Sequence, residues 1–316
     1  MIDALLLLMA IIWGTNYSIV KFAFQEVDPQ AFNAARMVIA STAFLAIIGV
    51  LRFRHSSSPA VAPGPGGVES IFRTPARVTA RDALELAGLG LVGHFLYQYF
   101  FIGGLALTTV ANSSLMLATT PVVIALISAP LGYERVGARH WAGAALSLLG
   151  IYIVVGRGVD LGGQGLKGDL MMVAAVICWA VYTLGSRRLI SRHSPVGVTG
   201  MSMAAGTLVY VPVMWPHVQA VAWDGISWRT WVSIVYSSIF ALGVAYTIWY
   251  AAVRQIGSAR TSVYSNVIPI VAMATAVIFL GEPLRLSNLL GATAVLVGVA
   301  LTRTAPQAAP AEPCEP

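Results

Sequence analysis

The sequence predicts an all-α integral membrane protein with ten transmembrane helices, arranged as two inverted five-helix repeats (5+5) around a central cavity. Three observations lead to this prediction: the composition, a series of ten apolar stretches, and an internal repeat. Of the 316 residues, 57% are hydrophobic and 10% charged, and the mean hydropathy is +0.77. A soluble domain carries about 25% charged residues. This chain therefore has too few ionised side chains to cover a water-exposed surface.

Ten apolar stretches are close to the length that a transmembrane helix needs, which is about 20 residues. They cover residues 4–24, 31–51, 83–105, 108–129, 138–155, 169–190, 196–215, 229–253, 257–280 and 285–302. The connection 52–82 is rich in Ser, Pro and Gly, which indicates a flexible loop. The tail 303–316 is rich in Ala and Pro, and we expect it to be disordered.

The net charge of +6 is expected for a membrane protein with basic cytoplasmic loops, so we expect no nucleic-acid partner. Cytoplasmic loops collect Lys and Arg. With a cytoplasmic N-terminus, thirteen Lys and Arg fall in inside loops and ends, five fall outside, and Arg36 lies within a helix, which accounts for all 19. We therefore predict a multi-pass protein of the cell inner membrane with both termini and the 52–82 loop cytoplasmic. Labelling a single cysteine placed in that loop, from intact cells, checks the orientation.

The two halves of the chain share an internal repeat. A shift of 166 aligns Trp13 with Trp179, Lys21 with Arg187 and Pro29 with Pro195. After the long loop, a shift of 148 aligns Pro121 with Pro269, Glu134 with Glu282, Gly143 with Gly291 and Gly150 with Gly298. Because each half has five helices, an odd number, the second half should enter the membrane inverted. The predicted units are residues 1–155, an outside connection at 156–168, residues 169–302 and the tail.

These repeated residues resemble those of a known transporter family. Pro121, Leu131-Gly132-Tyr133-Glu134 and Gly143 with Gly150 resemble the second part of an EamA-type repeat, and Pro269 with Leu280-Gly281-Glu282-Pro283 repeats the pattern. Trp13-Gly14 with Pro29 and Arg36 resembles the first part. The resemblance covers nearly all of residues 4–302. It implies a ten-helix member of the drug/metabolite transporter superfamily, similar in aromatic content to the aromatic amino-acid exporters. Its motifs are mostly structural and leave the substrate open.

The positions of charged residues narrow the substrate class. Every Asp and Glu lies at a helix end or in a loop or tail, which disfavours a multidrug-cation antiporter with a membrane carboxylate. Arg36 is the one candidate for pairing with an anionic substrate group. Two interpretations remain open for it: a side chain that extends to the membrane interface, which we favour, and a partner for a ligand carboxylate. Substrates with little net charge are therefore favoured.

Polar and aromatic residues at helical spacing form the candidate substrate site. Trp13, Asn16 and Tyr17 share one helix face, and Trp179 and Tyr182 share the face that the repeat aligns with it. The predicted substrate-binding residues are Trp13, Asn16, Tyr17, His94, Tyr97, Gln98, Trp179, Tyr182, Tyr246, Trp249, Tyr250 and Asn266. Interhelical packing is the alternative for these faces. Pro121 and Pro269, placed past the middles of helices four and nine, are candidate hinges or static kinks.

The predicted function is a carrier that exports small neutral metabolites, above all amino acids with aromatic or large apolar side chains, by alternating access. The expected partners are this small molecule and the lipid bilayer; the oligomeric state stays open, a monomer included. The alternatives are a multidrug or other metabolite carrier, a channel, or an intramembrane enzyme. No nucleophile–base pair is visible in the membrane, so we predict no enzyme, and we expect no metal and no cofactor. His94 is either the proton carrier of a coupled transporter or a hydrogen-bond donor in a facilitator.

Overall fold

The computed structural model describes residues 2–55, 69–72, 77–128, 138–156, 164–256, 261, 264–283 and 286–303. Several features predicted above lie outside these ranges. They include most of the 52–82 loop, Glu134 with its neighbours, residues 157–163 and the tail from residue 304.

Ten long helical segments, here α1 to α10, account for most of the described residues. Their bounds are α1 Ile2–Ala23, α2 Pro29–His55, α3 Ala80–Gly90 with Leu91–Leu96 and Tyr97–Leu107, α4 Val110–Ala118 with Thr120–Ser128, α5 Ala138–Gly156, α6 Gln164–Arg192, α7 Pro195–Val213, α8 Trp228–Tyr236 with Ser237–Val244 and Ala245–Ile256, α9 Val267–Leu280, and α10 Leu286–Arg303. Short helices also occur at Glu69–Phe72 and Trp215–Gln219.

The apolar character of these segments makes the chain an all-α membrane protein. Within the described ranges, six helices are long and apolar enough to cross a bilayer, and four shorter apolar helices complete the ten. The predicted fold class is thus confirmed, and most helix ends lie within a few residues of their predicted positions. The exception is α9, which begins at Val267 rather than 257, after a 3₁₀ turn at Tyr264–Asn266.

Polar residues fix where five of the helices begin. In each case a side-chain oxygen accepts a hydrogen bond from a backbone N–H of the first turn, which has no partner within the helix. These capping residues are Asp28 before α2, Thr79 before α3, Thr109 before α4, Ser194 before α7 and Ser227 before α8.

The two predicted proline hinges lie in different contexts. At Pro121 the helix breaks: its first part ends at Ala118, and the hydroxyl of Thr120 donates to the Leu117 carbonyl at 2.6 Å. Placing Pro269 past the middle of its helix was wrong, because it lies in the first turn of α9. First-turn N–H groups have no helical acceptor, so a proline there removes no hydrogen bond. Neither position is shown to move.

Two π-helical segments occupy matching positions in the two halves. They are Leu91–Leu96 in α3 and Ser237–Val244 in α8. The repeat shift of 148 places the first of them on residues 239–244, inside the second. A π-helical turn is wider than an α-turn, and such turns are frequently found at functional sites. Periodicity in the sequence gave no indication of either segment.

Two hydrogen bonds join residues that the internal repeat aligns with each other. The hydroxyls of Ser41 and Thr207 lie 2.7 Å apart, and these residues are 166 positions apart in the chain. Ser147 donates to the carbonyl of Val295, which is 148 positions further on. Both contacts lie near the mid-length of their helices.

Polar contacts tie helix ends together at opposite ends of the bundle. At one end, Glu282 pairs with Lys21 at 3.2 Å and accepts from the N–H of Val110 at 3.1 Å. Also at this end, hydrogen bonds from Ser227 and Thr230 hold the pKa of Glu26 below its ordinary value.

At the other end, Asp82 lies 3.1 Å from Arg192 and 3.3 Å from His193. Each set joins loops that the ten-span prediction places on one side of the membrane. Which end faces the cytoplasm stays a prediction.

Candidate substrate site

The centre of the bundle is lined by aromatic side chains from α1, α3, α6 and α8. These four helices make up the predicted site, and they contact one another in the structure. Seven of the twelve predicted site residues form one network of ring contacts with His94: Trp13, Tyr97, Trp179, Tyr182, Tyr246, Trp249 and Tyr250. We call these eight residues the central aromatic cluster.

Trp13 lies at the middle of the central aromatic cluster. Its ring centroid is 6.4 Å from that of Trp179, 5.7 Å from Tyr246 and 5.8 Å from Trp249. Two of these contacts are edge-to-face, the geometry that the ring quadrupole favours. The indole N–H donates to the carbonyl of Ala241 at 2.9 Å, in the π-helical part of α8. The π segment thus fixes the orientation of the central ring.

Two glycines leave the space in which Tyr182 and α7 pack closely around His94. A Cβ on Gly93 would lie 2.2 Å from the Tyr182 ring, and a Cβ on Gly206 would lie 2.5 Å from the His94 Cβ. The His94 Nε2 lies 3.2 Å from the Tyr182 hydroxyl. His94 is therefore a buried histidine bonded to a neighbouring helix, and it also faces the Tyr246 ring at 6.0 Å.

Several buried polar atoms at the cluster have no hydrogen-bond partner in the structure. They include the Asn16 Oδ1 on α1, the His94 Nδ1 on α3 and the Trp249 Nε1 on α8. A buried polar atom without a partner costs about 1–3 kcal/mol. A ligand that carries both donors and acceptors would remove that cost at each of them.

Three predicted residues lie at the edge of the cluster or away from it. Tyr17 stacks edge-to-face on Phe101 at 5.5 Å, one turn beyond Trp13. Gln98 binds Arg36 rather than a ring. Asn266 is not brought into the ring network: Ser18 pairs with Thr275, so Asn266 lies at the level of residue 9, about one helical turn from Trp13.

Arg36 corrects the sequence-based interpretation of the membrane interior. It does not extend to the interface, because it is 1% exposed and donates to Asn33, Gln98 and Ser237. The interior therefore contains a fixed positive charge. The interface interpretation was wrong. The sequence shows how far Arg36 lies from the end of its helix, but it does not show that neighbouring turns and helices supply three polar side chains to bind it.

Two relatives and a solved structure are similar to this chain. The probable terminal-alkyne amino-acid exporter of Streptantibioticus cattleyicolor is 24% identical over 296 residues, which is 94% of this chain and 91% of that protein. The aromatic amino acid exporter YddG of Ancylobacter novellus is 28% identical over 169 residues, 51% of this chain and 55% of that protein. A crystal structure with 21% identity superposes with a TM-score of 0.63 over 94% of both chains, which shows the shared fold.

The family match follows the two halves of the chain. The EamA-like transporter family matches residues 1–156 and, a second time, residues 166–304. The two matches confirm the resemblance first seen in the motifs around Pro121 and Pro269. The chain is therefore a member of the EamA-like transporter family.

Proposed function

We propose that this transporter exports neutral amino acids with aromatic or large apolar side chains. The observation that carries the proposal is the central aromatic cluster with its unpartnered polar atoms. The cluster offers ring faces and edges to an apolar side chain, and each aromatic pair contributes about 0.5–1.5 kcal/mol beyond burial. The Asn16 Oδ1 is an acceptor suited to an ammonium group, and the Trp249 N–H is a donor suited to a carboxylate. Two similar proteins named as amino-acid exporters support the assignment.

A carrier for lipophilic cations is the main alternative within the family. Such a carrier needs a carboxylate at mid-membrane depth. In the described part of the chain, the buried carboxylates Asp82 and Asp169 lie near helix ends, at the start of α3 and in the first turns of α6. The charge at depth is the positive Arg36, which repels cations. These observations favour an amino acid over a cation as substrate.

Alternating access of the two repeats, residues 1–155 and 169–302, is the mechanism we infer. The contacts Ser41–Thr207 and Ser147–Val295 support a two-fold axis at mid-span, and rotation about such an axis exchanges the two ends of the bundle. Rocking of inverted repeats exposes a central site to one side at a time. We place both termini on the cytoplasmic side of the inner membrane, as the Lys and Arg count indicates. The site lies within one chain, so a monomer suffices.

Competition for phenylalanine uptake into proteoliposomes tests the substrate assignment. We expect saturable uptake of labelled phenylalanine that tryptophan and leucine inhibit, because all three place an apolar side chain against the rings. A quaternary cation such as tetraphenylphosphonium should inhibit at least about tenfold more weakly, since it meets Arg36 without a compensating carboxylate. Strong inhibition by the cation together with no effect of tryptophan would contradict the assignment.

A further inference from the structure

Arg36 is a buried cation with neutral partners. It lies seven residues into α2, about 10 Å along the helix from Pro29. Its Nε donates to the Asn33 Oδ1 at 2.6 Å, its Nη1 to the Ser237 Oγ at 2.8 Å and its Nη2 to the Gln98 Oε1 at 2.5 Å. Within the described residues, no carboxylate lies within 4.0 Å of the guanidinium. Buried charges are ordinarily paired, because an uncompensated charge is costly in a membrane interior.

The three neutral oxygens do not accept hydrogen bonds from all the N–H donors of the guanidinium. The group carries five N–H donors in a planar fork that matches a carboxylate. Asn33, Gln98 and Ser237 account for three donors, so two N–H groups have no partner in the described structure. A carboxylate would take up these donors and neutralise the charge, and charge-assisted hydrogen bonds are about twice as strong as neutral ones.

The internal repeat argues against a purely structural role for this charge. The shift of 166 places Arg36 on Ser202, whose hydroxyl bonds to the carbonyl of Val198 and lies 3.3 Å from the Tyr182 hydroxyl. The second repeat therefore forms the same helices with a small neutral residue at this position. A charge required by the fold alone would be expected in both repeats.

The partners of Arg36 connect it to the central aromatic cluster. Gln98 follows Tyr97, whose ring lies 5.1 Å from that of Trp179. Ser237 begins the π segment, and Ala241 in that segment accepts the Trp13 indole N–H. The guanidinium thus binds one residue next to Tyr97 in the chain and one residue that lies a helical turn before Ala241.

We propose that Arg36 binds the carboxylate of the transported compound, so that this transporter selects substrates that carry a carboxylate. The inference rests on the proposed function, which places the substrate at the central aromatic cluster. What it adds is that the substrate must carry a carboxylate. Asn33, Gln98 and Ser237 align the guanidinium, and the substrate carboxylate neutralises its charge.

Ligand-induced stabilisation of the purified full-length protein tests this proposal without requiring transport. The ligands are matched pairs: phenylalanine and phenylalaninamide, 3-phenylpropionate and its amide, leucine and leucinamide. A ligand that binds the folded state raises the melting temperature according to its affinity. We expect each carboxylate to bind wild-type protein at least tenfold more tightly than its amide. Equal affinities within the pairs, or no shift with any carboxylate, would overturn the proposal.

Arg36→Gln should abolish the preference for carboxylates, and Arg36→Lys should restore part of it, because it keeps the charge and loses the planar fork. Arg81→Gln is the matched control: Arg81 is an exposed arginine paired with Glu85, and its loss should leave the preference unchanged. An unchanged preference in Arg36→Gln would also overturn the proposal. If Arg36→Gln does not fold, the comparison of each carboxylate with its amide on the wild-type protein decides whether the proposal holds. Carboxylate-selective binding without any phenylalanine transport would refute the proposed function while supporting this inference.

Discussion

Replacing Trp13 by alanine should lower phenylalanine uptake at low substrate concentration at least about tenfold. Trp13 contacts Trp179, Tyr246 and Trp249, and it links them to the π segment through Ala241. A substrate ring that packs on Trp13 would lose an aromatic contact of about 0.5–1.5 kcal/mol, and the three neighbouring rings would lose the partner that holds them in place. A loss of about 1.4 kcal/mol is a factor of ten in binding. Initial rates in proteoliposomes, normalised to the amount of folded protein, measure the effect.

The matched control for this change is Trp228→Ala. Trp228 is 71% exposed at the start of α8, next to Arg229, and lies outside the central aromatic cluster. Its loss should change uptake by less than about twofold, as for other exposed residues away from the site. Trp13→Phe keeps a ring and should retain more activity than Trp13→Ala. Equal uptake by Trp13→Ala and Trp228→Ala would contradict a role of the central aromatic cluster in substrate binding.

The second large effect concerns stability, and it is expected for Gly298→Ala. A Cβ at Gly298 would lie 2.5 Å from the Gly143 carbonyl oxygen and 2.6 Å from the Ser147 backbone nitrogen, so α5 and α10 would have to separate. Overpacking of this kind typically costs about 1–3 kcal/mol of unfolding free energy. The melting temperature of the purified protein should therefore fall clearly below that of wild type.

Gly49→Ala is the control with the opposite expected sign. Gly49 lies in α2, and a Cβ there meets no atom within 4 Å. Alanine in a helix is favoured over glycine by about 0.5–1 kcal/mol, so the melting temperature should stay the same or rise. If Gly298→Ala is as stable as Gly49→Ala, the close packing of α5 against α10 is wrong.

The sequence predicted the fold well because the fold depends on patterns that a single chain displays. Apolar length marks each span, and the repeat identifies the residues that pack at close helix contacts. Gly143 and Gly298 both belong to the residues that the repeat aligns, and their backbones approach each other. The helix faces of Trp13 and Trp179 were also predicted, because residues at spacings of three and four share a face whatever the partner helix is.

Other features of the site depend on tertiary contacts that no local pattern displays. The environment of Arg36 comes from Gln98 and Ser237, which are 62 and 201 residues away in the chain. The π segments have the composition of ordinary apolar helices. Pro269 was placed from an apolar run that extends beyond the helix itself, so the first turn was mistaken for the middle.

Counterflow in proteoliposomes tests most directly the central claim that this chain is a carrier for aromatic amino acids. Vesicles containing the purified protein are loaded with unlabelled phenylalanine and diluted into a trace of labelled phenylalanine. A carrier with one alternately exposed site should accumulate the label transiently above its equilibrium level, and internal tryptophan should also drive this accumulation. Label that only equilibrates, equally with and without internal amino acid, would contradict the claim.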